Sequence, residues 1–170
     1  NAGLSVTTGV QNTLIGGLSG DAITDADYNV AVGMGSLGAN TVGSRSTAVG
    51  TNSLFEQNPA TAANMYNVAV GYHAGFKVST GQFNVLMGSE AGDALTAGTR
   101  NVALGHTTLS TDVLGSRSVA IGMNALTLQN FTTATDSFNT AVGADAGLSV
   151  TTGQYNTFLG GQAGDATTTG

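Results

Sequence analysis

An all-β chain wound as a parallel β-solenoid is the fold this sequence predicts, on three observations. A glycine closes a short strand-like phrase nine times, at 16, 33, 50, 71, 88, 105, 122, 143 and 160, with phrases such as NVAVG, STAVG, NVALG and SVAIG. Three spacings of 17 residues and one of 21 add up to 72, and the set then recurs, so four coils form a super-repeat. Finally, 41% of the residues are hydrophobic and hold strict register with that period, which separates a stacked core from a Gly-rich disordered chain. A fixed short period means that each unit buries its apolar face only against its neighbours. The expectation is about ten coils of 17–21 residues in a single domain over 1–170, divided by the longer period into 1–72, 73–144 and 145–170. Both ends fall inside the repeat, as expected of a segment cut from a longer protein.

Counting back from each terminal glycine defines columns that stack about 4.8 Å apart. The first column back holds Ile15, Val32, Val49, Val70, Met87, Leu104, Ile121, Val142 and Leu159. The second is Ala except at Leu14, Leu86 and Phe158, which are themselves 72 residues apart. The third is always Val or Thr, stiff β-branched residues suited to a pleated strand. A phrase this short, bounded by Gly, is too brief for a helix. The fourth column back is Asn12, Asn29, Asn67, Asn84, Asn101, Asn139 and Asn156, with Ser46 and Ser118 completing it. Asn amides stacked in register predict a structural hydrogen-bonded ladder.

Beyond the glycine, the third residue is always small and the fourth is Gly or Leu in a G-L-L-G order. A further Gly seven positions before the terminal one, as at Gly43, Gly81 and Gly115, suggests two short strands and two turns per coil. The four extra residues of the long coils fall in QNPATAAN (57–64) and LQNFTTAT (128–135). These predict loops on one face, with Pro59 tolerated because no ladder hydrogen bond is needed there. They are the first places to seek binding. Apolar residues do not recur every six positions, so a flat two-sided coil fits better than a hexapeptide helix. Such a thin coil leaves an exposed apolar stripe, and side-by-side association is the expected remedy.

The fifth column back is the most unusual. It reads Gln11, Tyr28, Arg45, Tyr66, Phe83, Arg100, Arg117, Phe138 and Tyr155, and so collects every arginine of the chain. Stacking would place Arg45 between Tyr28 and Tyr66, and Arg117 beside Phe138. Guanidinium over ring contributes about 0.5–2 kcal/mol. The column reads as a fibre-stabilising ladder or, since aromatic faces stack on sugars, as a ligand stripe. Arg100 next to Arg117 calls for a nearby carboxylate such as Asp112 or Glu90. Unbroken alternation would point this column the same way as the Val/Thr and Ile/Val columns. An arginine does not enter a dry core, so either the chain turns at the Asn or that face is a semi-polar subunit interface.

The charge balance is four basic against ten acidic residues, a formal −6. That argues against nucleic acid and anionic membrane surfaces as partners, and no apolar run is long enough for a membrane helix. No cofactor is expected. Asp21, Asp93 and Asp165 recur in GDA phrases but lack the dense acidic repeats of calcium-binding solenoids, and they read as solvated turns. His73 and His106 occupy different columns, which is a poor start for a zinc site. No nucleophile–base grouping or paired carboxylate can be assembled, so the chain reads as a non-enzyme.

SVAIGMNAL (118–126), STAVGTNSL (46–54) and NVAVGYHAG (67–75) are similar to the N-S-V-A-I-G-x-x-S/A motif of trimeric autotransporter adhesin heads. NTAVGADAGLSVTTG (139–153) resembles repeats of phage and viral fibre proteins. The resemblance covers all nine phrases, although the coils here are longer than that family's usual repeat. It implies a left-handed parallel β-roll and an intertwined or side-by-side homotrimer. The function it implies is a structural or adhesive segment of an extracellular fibre, on a cell surface or a virion, presented to a host glycan or protein receptor. Two alternatives are an ice-binding solenoid, given a partial Thr column (Thr7, Thr24, Thr41, Thr96, Thr151, Thr168), and the non-catalytic part of a polysaccharide-degrading viral tailspike.

Overall fold

The computed structural model describes residues 1–169. It is an all-β parallel solenoid of about nine turns. Nine three-residue strands build one sheet: β1 (Thr13–Ile15), β2 (Val30–Val32), β4 (Thr47–Val49), β6 (Val68–Val70), β7 (Val85–Met87), β8 (Val102–Leu104), β10 (Val119–Ile121), β12 (Thr140–Val142) and β13 (Thr157–Leu159). Each pairs in parallel with the corresponding strand of the next coil, without slippage: Ala31 lies opposite Ala48, Ala69 opposite Leu86, Ala141 opposite Phe158. The remaining strands are two-residue pieces: β3 (Gly43–Ser44) pairs with β5 (Ala63–Asn64), and β9 (Gly115–Ser116) with β11 (Thr135–Asp136).

The second strand expected in every coil therefore forms at two places only among the described residues. Elsewhere the opposite wall is a series of turns that still hydrogen-bonds from coil to coil, as in Thr24 N–H to Thr41 O (3.0 Å) and Ser79 N–H to Thr96 O (2.9 Å). The wall is not extended because two of its positions adopt left-handed backbone. The second residue after each glycine does so (His73 φ +54°, Glu90 +58°, Asp145 +58°), and so does the fourth even when it is leucine (Leu37 +50°, Leu109 +54°).

Within each strand the middle residue and the preceding Asn point inward, while the first and last strand residues stay half-exposed on the outer face. The core is a single cluster in which inward alanines (Ala31, Ala48, Ala69, Ala103, Ala120, Ala141) meet the facing wall's Leu37, Leu54, Val78, Leu95, Leu109, Leu126 and Val150. The G-L-L-G order now has a packing cause. Where the inward residue is large, the fourth residue after the glycine must be small. A Cβ at Gly75 would stand 2.7 Å from Leu86 Cδ1, and one at Gly92 would stand 2.8 Å from Leu86 Cδ2. Leu14 is seated between Gly3 and Gly20 in the same way, and Phe158 against Gly147 and Gly164. Large and small residues exchange places from coil to coil so that volume is conserved, as close packing demands.

Candidate functional site

The Asn column is interior. Asn29, Asn67, Asn84, Asn101 and Asn139 are fully buried. Each rung runs from amide to backbone rather than from amide to amide. The Asn29 Oδ1 accepts the N–H of Ser46, and the Asn84 Oδ1 that of Asn101, both at 2.9 Å. The Nδ2 groups donate to carbonyls one coil on, Asn29 to Gly43 O at 3.0 Å and Asn101 to Gly115 O at 2.9 Å. Direct amide contacts are the longer ones, 3.2 Å for Asn84 to Asn67 and for Asn156 to Asn139. Where serine interrupts the column, a glutamine reaches over from the facing wall. Gln57 Oε1 accepts from Ser46 Oγ and Asn67 Nδ2 (both 3.0 Å), and Gln129 bridges Ser118 Oγ (2.9 Å) and Asn139 Nδ2 (2.8 Å). Buried amides so fully engaged are not available to a ligand.

The Arg–aromatic column lies outside. Alternation is unbroken from this column to the strand, and the face it shares with the Val/Thr and Ile/Val columns is the outer face, so no arginine meets the core. The chain turns at this column itself, one residue earlier than expected. All nine members have positive φ, among them Tyr28 +58°, Arg45 +65°, Phe83 +60° and Arg117 +63°. For these residue types left-handed backbone costs about 1–2 kcal/mol each. Neighbouring coils hold it in place at Tyr28, Arg45, Phe83, Arg100, Arg117 and Tyr155, whose N–H groups donate to the preceding coil, as Phe83 does to Met65 O and Arg117 to Thr99 O.

Tyr28, Tyr66, Phe83 and Phe138 are 43–46% exposed. Tyr66 stacks on Phe83 (centroids 5.3 Å apart) and Phe138 on Tyr155 (5.4 Å). Arg45 lies 4.6 Å from the Tyr28 ring, Arg100 5.4 Å from Phe83, and Arg117 5.4 Å from Phe138. Arg45 is not clasped on both sides: its Nε turns to Asn64 Oδ1 at 3.0 Å. In the second super-repeat the matching contact is an ion pair, Arg117 Nε to Asp136 Oδ1 at 2.9 Å. Both partners sit on the strands that end the long loops, β5 and β11, so loops and ladder form one surface. The spacing signal was present, because Asn64 and Asp136 are 72 apart, as are Arg45 and Arg117. Asp112, named as a partner for these arginines, is instead fully buried on the other wall. Arg117→Ala should lower stability by less than about 1 kcal/mol, measured by urea unfolding, because the pair is half-exposed and solvent-screened.

The loops project less than a bulge. Gln57, Pro59, Gln129 and Phe131 are buried, and only 60–62 and 132–134 are continuously exposed in these segments. Asp93 departs from a solvated turn. Burial, and after it the nearby Glu90, raise its carboxyl above the ordinary aspartate range, against its own backbone N–H, Lys77 and His73. No group of metal-ligating side chains is found among the described residues. In the Thr column, hydroxyls are engaged with the next coil, as Thr24 Oγ1 is with Thr41 O (3.2 Å) and Thr96 Oγ1 with Val113 O (3.1 Å).

A second aromatic group went unread in the sequence. Tyr72 stacks on His73 (3.9 Å), His73 on Phe76 (4.7 Å) and Phe76 on Phe55 (5.4 Å). Its signal is a broken beat. Seventy-two residues on, these positions are Ala144, Asp145, Leu148 and Thr127. No family model matches the chain, and no curated protein or solved structure matches it.

Proposed function

We propose that the chain is a structural and adhesive segment of an extracellular fibre, a left-handed β-roll that associates side by side as a homotrimer. The observation that carries this reading is the outer face of the nine-stranded sheet. Each strand places two side chains there, drawn from Val, Ile, Leu, Met and Thr and only half-buried by the chain's own fold. Eight steps of about 4.8 Å and a width of about five residues make a flat strip of roughly 600 Å². That is at the top of the range for an unpartnered patch and close to the ~800 Å² per partner of a stable interface. An outward-facing apolar sheet with its flanking rings is covered most economically by equivalent sheets around one axis. In the fibre, loops 57–64 and 128–135, exposed at 60–62 and 132–134, are the surface offered to a host glycan or protein receptor.

Sedimentation equilibrium of the purified chain tests the association. Three chain masses are expected, and Val70→Lys with Val102→Lys should reduce this to one. A wild-type chain that remains monomeric at tens of micromolar overturns the reading.

A further inference from the structure

The two ends of the strands carry different chemistry, and the difference is matched height for height. At the N-terminal ends stands the Arg–aromatic column, holding three of the four basic residues. At the C-terminal ends, the second residue after each glycine forms a polar column from Asn52 onward. There Thr107 Oγ1 donates to Asn124 Oδ1, and Asn124 Nδ2 donates to Asp145 Oδ1 at 2.9 Å.

Building on the side-by-side association proposed above, we infer that these two edges are mates. The Arg–aromatic edge of one copy packs against the polar edge of the next, with no shift along the roll axis. The contact is therefore heterologous and closes into a ring, as a rotation without translation must.

The aromatic match selects zero shift, and a charge match agrees with it. The coil closed by Gly71 carries Tyr66 at one edge and Tyr72 with His73 at the other. Both belong to stacks, Tyr66 with Phe83 and Tyr72–His73 with Phe76, so equal heights join ring to ring. This gives the aromatic group that breaks the 72-residue beat something to face. The second match is electrostatic. Arg100 and Arg117 occupy successive coils, and among the described residues only Arg117 has a carboxylate of its own chain in salt-bridge contact. On the opposite edge the same two heights hold Thr107 and Asn124, bracketed by Glu90 one coil before and Asp145 one coil after. Two like charges on one copy thus lie between two opposite charges on the next. A slip of one coil, about 4.8 Å, would set Tyr66 against Asn52 or Glu90 and lose the aromatic match.

The chain has no cysteine, which makes the contact accessible to cross-linking. Tyr66→Cys combined with Tyr72→Cys, purified and oxidised, should yield covalent dimers and trimers on a denaturing gel. An intrachain bond is excluded because an extended strand separates the two positions by roughly 20 Å. Tyr66→Cys combined with Ala144→Cys, four coils apart, should give none. As a second measurement, Arg100→Glu should weaken association about tenfold, and adding Glu90→Arg should restore most of it. Both swapped side chains land on left-handed positions that already hold a long charged residue, Arg100 at φ +59° and Glu90 at +58°.

A chain that sediments as a monomer removes the trimer and this contact together. A trimer that neither cross-links at 66 and 72 nor shows charge rescue overturns the edge pairing alone. Cross-linking at 66 and 144 overturns the zero shift.

Discussion

Gly105→Ala should destabilise the roll by about 3–4 kcal/mol, through two effects at one atom. The residue sits at φ +140°, a region in which L side chains are strained by about 1–3 kcal/mol. The added Cβ would also lie 2.7 Å from both the carbonyl carbon and oxygen of Gly122 in the next coil. Those are backbone atoms in a continuous ladder, and Gly105 itself donates to Met87 O at 2.8 Å. Relief requires moving one coil against the next, and overpacking of that kind costs about 1–3 kcal/mol. Gly17→Ala is the control. Gly17 lies outside the positive-φ set and its Cβ would meet nothing within 4 Å, so the change should fall within about 0.5 kcal/mol of neutral. Thermal and urea unfolding monitored by circular dichroism would read both. Since a solenoid's stability is a sum of neighbour terms, the central glycine is also expected to broaden the transition. Equal effects at the two glycines would sink the argument.

That contrast explains what was legible in the sequence. The glycine column reads directly because no other residue fits φ near +130° with a carbonyl immediately above, so its identity is invariant down the stack. The inward Ala and Leu columns read because their exceptions keep the 72-residue period: Leu14, Leu86 and Phe158 recur where the facing wall supplies Gly. The left-handed turn at the Arg–aromatic column did not read. Tyr, Phe and Arg are not residues that announce positive φ, and hydrogen bonds from the neighbouring coil impose the conformation. The facing wall failed likewise. Turns that borrow their hydrogen bonds from adjacent coils leave no alternation in the sequence, so a second strand was expected where turns stand. Asp112 was assigned to the arginines because its own column was not visible as one. Seven residues past each glycine the chain alternates between apolar fillers (Ile23, Val78, Leu95, Val150) and buried polar groups (Asn40, Gln57, Asp112, Gln129). Only the structure shows that all of these point inward.

Asp112→Ala should cost about 3–5 kcal/mol at neutral pH, because the buried carboxylate is the acceptor for three donors. Its Oδ1 takes the N–H groups of Gly115 (3.0 Å) and Phe131 (2.9 Å), and its Oδ2 takes Gln129 Nε2 at 2.7 Å. Leaving such donors buried and unmatched costs about 1–3 kcal/mol each. The equivalent residue 72 positions earlier is Asn40, and the reason is chemical. Phe131 corresponds to Pro59, which has no N–H to satisfy. With one donor fewer, an amide suffices: Asn40 Oδ1 accepts from Gly43 N–H (3.0 Å) and its Nδ2 donates to Gly43 O (2.7 Å). What the amide cannot do is accept from the neighbouring glutamine as well, and Gln57 Nε2 is left without a partner.

Residues 112 and 131 are therefore coupled. Phe131→Pro should be less damaging in an Asp112→Asn background than in the wild type by about 1–2 kcal/mol at pH 7. The packing loss of the ring enters both arms of the cycle and cancels. Burial raises the Asp112 carboxyl above the ordinary aspartate range, against the lowering effect of those hydrogen bonds. An ionised Asp112 thus costs stability at pH above its folded-state value, and the cost disappears as pH falls into and below the ordinary aspartate range. Asp112→Asn should accordingly gain on the wild type as pH rises through that window, and level off above it. Urea midpoints of the four proteins from pH 3 to pH 8 measure both the coupling and its pH dependence. Additive effects at 112 and 131 would show that the N–H of Phe131 is not what calls for a carboxylate in the second super-repeat.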